Sequence, residues 1–127
     1  MSTKDLAKKY KRQTASRYLS VSAEDITSKI MEADLYSVST KYDGHFYLLS
    51  YDGKTAVLIN HGENVIKDLP LLKEVSEQLK GTCKNVVLAG ELFLYNEGER
   101  TRTFDMSAAL DDRSADIHFA AFDVLSL

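Results

Sequence analysis

Three polar side chains sit inside apolar, strand-like runs, and their types set the chemistry open to this chain. Lys41 stands in Lys41-Tyr42-Asp43-Gly44, at the mouth of an Asp-Gly turn between two such runs. On a rigid element of that kind a lysine lays its stem along a sheet and presents an ammonium wherever the sheet faces. Glu91 lies in Leu88-Ala89-Gly90-Glu91-Leu92-Phe93-Leu94, the strongest strand pattern in the chain. A carboxylate there is costly if buried alone, so it must reach water at an edge or face a cationic or hydroxyl partner. Asp123 interrupts a third apolar run and is read as a second buried acid.

The elements that must position these groups follow from periodicity. Leu35, Tyr36, Val38 and Thr40 suit a strand over 34–42, and Phe46 to Tyr51 suit another, with the Asp43-Gly44 turn joining them as a hairpin because glycine accepts a positive φ. Asp52-Gly53 predicts a second hairpin into a strand over 54–60, giving three adjacent antiparallel strands. Pro70 opens a helix whose Leu71, Leu72, Val75 and Leu79 recur at helical spacing until Gly81 ends it. Strands are predicted over 86–95 and 117–125, with a loop over 96–102 and a short helix over 104–110 between them. Alternation puts Glu91 on one face with Ala89 and Phe93, and Gly90 beside it lets another group approach the backbone closely. Upstream, Thr3 to Gln13 predict a helix with a small core contribution, and Ser22 N-caps another running to about Glu32.

With 127 residues, 44% of them hydrophobic and 28% charged, the chain is one soluble domain or part of one. Its single cysteine, Cys83, excludes an internal disulfide and points to a reduced, cytoplasmic setting, or a nuclear one in a eukaryote. No apolar run reaches membrane-spanning length, and the N-terminus lacks the apolar core of a secretory signal, so no membrane partner is expected. Charge is uneven: residues 1–20 hold six basic side chains against Asp5, a balance of +5, which leaves −8 for the remainder of a chain whose net is −3. Such an arm can touch a polyanion without reading sequence. The expected organisation is a basic N-terminal helical segment over 1–33 and an α+β unit over 34–127, built on a mainly antiparallel sheet with flanking helices.

Taken in order, Lys41-Tyr42-Asp43-Gly44, Ala89-Gly90-Glu91-Leu92 and Phe119-Ala120-Ala121-Phe122-Asp123-Val124-Leu125 resemble motifs I, III and IIIa of the covalent nucleotidyltransferases, above all the ATP-dependent DNA ligases. Residues 34–127 then correspond to the N-terminal part of the adenylation domain, with its ATP-grasp-like fold. The resemblance implies that Lys41 attacks the α-phosphorus of ATP, expels pyrophosphate and holds AMP as a phosphoramidate for transfer to the 5′-phosphate of a nick. It further implies that Glu91 accepts a hydrogen bond from the ribose, that Phe122 stacks on adenine, that Asp43 and Gly44 support the lysine, and that Mg2+ assists. Two departures stand out: the arginine usual two residues after the motif I glycine is Phe46, and the acid usual before Gly-Glu is Ala89. The motif IV glutamate, the motif V lysines and the OB-fold domain are expected in a longer natural chain, through which nicked duplex DNA would be engaged. An RNA ligase or capping-type enzyme shares the lysine chemistry, and a non-catalytic nucleic-acid-binding or interaction module shares the scaffold.

Overall fold

The computed structural model describes residues 2–14, 17, 19–30, 36–37, 40–42, 44–95, 103–112 and 116–127. Among them five strands form one antiparallel sheet: β1 (His45–Tyr51), β2 (Ala56–Ile59), β3 (Val65–Ile66), β4 (Val86–Leu94) and β5 (Ile117–Ser126), in the order β3-β2-β1-β4-β5. The helices are α1 (Thr3–Gln13), α2 (Ala23–Asp25, running on as a π-helical turn over Ile26–Ile30), α3 (Pro70–Leu79) and α4 (Thr103–Asp111). The fold is a small α+β domain, and none of its described helices is long and apolar enough to cross a membrane.

Strand alternation divides the apolar residues between two cores. On one face Tyr47, Leu49 and Tyr51 of β1, Leu58 of β2, Leu92 of β4 and Ile117 of β5 are closed over by Leu72 of α3 and Met106 of α4. Each fully buried leucine of this kind contributes roughly 1.5 to 3 kcal/mol. On the other face Leu48 and Ala89 lie under Ala7 and Tyr10 of α1. The basic helix is therefore docked on the sheet and builds a core of its own, more than its sparse apolar stripe predicts. Ala7, completely buried, is the reason: with only a methyl group between them, helix and sheet approach closely. A capping box starts α1, with Ser2 Oγ accepting from the Asp5 backbone N–H while the Asp5 carboxylate accepts from the Ser2 N–H.

The Asp52-Gly53 hairpin forms as predicted, joining β1 to β2 with Tyr51 opposite Ala56. Gly53 takes φ +98°, and Asp52 Oδ1 accepts the backbone N–H groups of Lys54 and Thr55, each at 2.9 Å. Pro70 at the start of α3 and Gly81 with φ +78° after its end also match the sequence signals. β3 was not anticipated; its two residues pair with Leu58 and Ile59 beyond a polar loop.

The strand expected over 34–42 is not formed at Tyr36, Ser37, Thr40, Lys41 or Tyr42, its described residues. β4 pairs along the whole of one edge of β1 and β2 takes Leu48–Tyr51 of the other, which leaves only the short His45–Tyr47 stretch of one edge without a strand partner among the described residues. Gly44 accordingly is not in a positive-φ turn. What requires glycine there is crowding, because a Cβ would run into the Leu92 carbonyl of β4. Ile26, expected on the apolar stripe of the second helix, is 39% exposed.

Candidate functional site

Glu91 leaves β4 on the face that carries Ala89 and, farther along, Phe93, with Phe46 of β1 and Ala120 of β5 directly beside it. Ala120 is short, so a hollow opens over β5 next to the carboxylate. The side chain is partly buried, and its Oε2 is removed from solvent. Gly90, one residue earlier, meets the expectation of a close approach: a Cβ would collide with the Ala120 carbonyl and the Phe119 ring. Its absence lets β5 press against β4 at this level.

β5 does not run evenly past that point. Gly90 pairs with Ala121 but Ala89 pairs with Asp123, so Phe122 is an extra residue with no cross-strand partner. Such bulges bend a strand and re-aim a side chain. Here the ring of Phe122 is turned to the α1 side, 6.3 Å from Tyr10 and 6.4 Å from Phe46 between centroids, and remains 48% exposed. Asp123, read from sequence as buried, is exposed; the shifted register carries it out of the apolar run.

Lys41 reaches the same place from a third segment. Tyr42 stacks on Phe93 with centroids 4.3 Å apart and planes at 27°, and Gly44 lies against the Leu92 carbonyl. These two contacts hold residues 40–42 over β4. Lys41, Glu91 and Phe122 thereby line one pocket of about 710 Å3, completed by Ser37, Thr40, Tyr42, Ala120 and Ala121. Small-molecule sites span roughly 300 to 1,000 Å3. Lys41 and Glu91 are its charged walls, one exposed and one partly buried. Asp43 lies outside the described residues.

Sequence reasoning found the lysine, the carboxylate and one ring but missed Ser37, Thr40, Tyr42 and Tyr10. Adjacency to Lys41 could have flagged Thr40 and Tyr42. Lys54, the lysine of the second turn, lines a different pocket of about 570 Å3 between that turn and the start of α3, with Lys67, Asp68 and Lys73. Among the described residues no three His, Cys, Asp or Glu side chains are grouped to hold a metal ion.

The fold and pocket define a small α+β domain with a ligand-sized hollow on the partly uncovered face of an antiparallel sheet. No family model, curated protein or solved structure matches this chain.

Proposed function

We propose that this chain carries the N-terminal part of an adenylating nucleotidyltransferase domain of the kind found in ATP-dependent DNA ligases. The supporting observation is that Lys41, Glu91 and Phe122, 50 and 31 positions apart in sequence, line a single pocket. Lys41, once its ammonium has lost a proton, attacks the α-phosphorus of ATP; a nitrogen–phosphorus bond forms as the bond to pyrophosphate breaks. Glu91 accepts a hydrogen bond from the ribose and the Phe122 face takes the adenine, each presented from a strand rather than a loop. AMP then passes to the 5′-phosphate of a nick in the complete protein, where motifs IV and V and an OB-fold domain complete the machinery.

A second reading, a non-catalytic nucleic-acid-binding or interaction module on this scaffold, draws on Phe46. It stands where the family has an arginine and is packed beneath Tyr10, so it brings no hydrogen-bond donor to a ribose.

Incubation with α-labelled ATP and magnesium separates the two. Under the enzyme reading label stays on the protein through alkali and is released by acid, as a phosphoramidate is; Lys41→Ala abolishes it, and Lys54→Ala, in its separate pocket, does not. Label that survives Lys41→Ala would sink the enzyme reading, and absence of label from a chain containing motifs IV and V would favour the module.

A further inference from the structure

The geometry points to a second property of the same sheet face: a base-stacking strip for single-stranded nucleic acid. It goes beyond nucleotidyl transfer and does not depend on it. Tyr95 meets His118 edge-on at 5.6 Å, His118 stacks on Phe93 at 5.6 Å, and Phe93 stacks on Tyr42 at 4.3 Å. Past Glu91 and Ala120 the row resumes at Phe122, which leads to Phe46 and Tyr10. The register explains the alignment: His118 is paired with Phe93 and Ala120 with Glu91, so alternate residues of two neighbouring strands point to one face.

Tyr10 is buried and Phe46 and Phe93 are partly buried, but the other four rings are exposed. Tyr95 is 60% exposed, Tyr42 42% and Phe122 48%, and His118 is exposed too. The helix on this face, α1, packs against β1 and β2 and reaches Val87 and Ala89 of β4 and Leu125 of β5, while Tyr95 and His118 at the other end of that strand pair are exposed. Four exposed rings gathered on one face mark a binding surface rather than scattered surface residues.

Charge selects the occupant. Lys41 interrupts the row, and Lys9 and Lys11, both exposed, flank Tyr10 at its far end. They belong to the basic minority of an acidic chain, concentrated on this side of the sheet by the docking of α1. Ring faces with Lys41 in their gap and Lys9 and Lys11 at one end suit a strand of unpaired bases, each base offering a π-face while its phosphates meet lysines. A duplex keeps its bases stacked on each other and has no such faces to give.

The test is fluorescence anisotropy of the intact chain titrated into labelled oligothymidylate of about 12 nucleotides, the matching oligouridylate, and a duplex of equal length. Binding of one or both single strands at least about tenfold tighter than the duplex is expected, with DNA and RNA arms identifying the preferred sugar. Tyr95→Ala and His118→Ala, both outside the pocket, are each expected to weaken binding about tenfold at unchanged helix content and melting temperature. Lys41→Ala should lower the salt dependence while leaving single-strand preference intact. Equal affinity for duplex and single strand, or binding unaffected by the ring variants, would overturn the proposal in favour of bare electrostatic attraction to α1. Self-association abolished by Tyr95→Ala, without oligonucleotide binding, would overturn it in favour of contact between copies. Adenylation is read separately, so loss of either property leaves the other measurable.

Discussion

The ring of Tyr10 lies flat on the ring of Phe46, with centroids 5.4 Å apart and planes 10° from parallel. Tyr10 comes from the basic helix and Phe46 from the first strand, so this stack joins the cationic arm to the sheet beside the pocket. Phe46 also pairs across the strands with Glu91 and approaches Phe122. The residue that departs most from the ligase pattern is thus the one that seats α1 against the pocket wall.

Removing that seat should be expensive. Tyr10→Ala deletes a ring that is 6% exposed and should destabilise the domain by about 2 to 5 kcal/mol, from lost burial and the cavity left behind. Urea denaturation measures it, and a change below about 0.5 kcal/mol would mean that α1 is not docked in solution.

Scaffold and chemistry should separate at α3. Leu72→Ala, at a side chain 2% exposed on the face away from the pocket, is expected to cost about 2 to 5 kcal/mol. Val87→Ala, partly buried beside α1, should cost less, about 1 kcal/mol. In conditions where both variants remain folded, labelling at Lys41 should match the parent chain.

Gly44→Ala probes how Lys41 is held. The added methyl would meet the Leu92 backbone carbonyl, which cannot swing aside as a side chain can. Overpacking of this kind costs typically about 1 to 3 kcal/mol and here must push residues 40–42 away from β4. Nucleotide affinity should fall; its retention would mean the lysine is positioned without this contact.

Acid should weaken the fold through three exposed carboxylates. Asp5 is held below its ordinary 3.8 by the Ser2 hydroxyl and then the Ser2 N–H, and Asp52 below 3.8 by the N–H groups of Thr55 and Lys54. Glu63 is held below its ordinary 4.5 by the hydrogen-bonded ammonium of Lys8, at 2.8 Å. In each the folded state binds its proton more weakly than the unfolded one. Their stabilisation is therefore complete above those ordinary values and is lost as pH falls through the lowered ones. Melting temperature followed from pH 6 downward should drop below about pH 4. Asp52→Asn, which keeps an oxygen to accept both N–H groups, should flatten the decline; an unchanged profile would exclude Asp52 as a contributor.

Much of this was legible from residues alone, because it depends on near neighbours. Pro70 and Gly81 bound α3 through their own backbone preferences, Asp52-Gly53 makes its hairpin within four residues, and alternation along β4 puts Glu91 with Ala89 and Phe93 whatever surrounds them. The association of Lys41, Glu91 and Phe122 in one pocket was expected from strands facing one another, yet Lys41 reaches the pocket from a segment that forms no strand and Phe122 from a bulge. Tertiary structure decided what depends on competition for partners. β1 takes β4 along its whole length and β2 along Leu48–Tyr51, the residues described before Gly44 lie over β4 instead of pairing with β1, and Gly44 serves close approach instead of a turn. Ala7 reads as an unremarkable helix residue until a sheet lies beneath it, and a one-residue bulge, invisible in composition, turns Phe122 toward Tyr10 and carries Asp123 out to solvent. Local sequence sets which conformations a segment prefers; which edge, face or neighbour it meets is set by segments far away in the chain, because each strand edge can be paired only once.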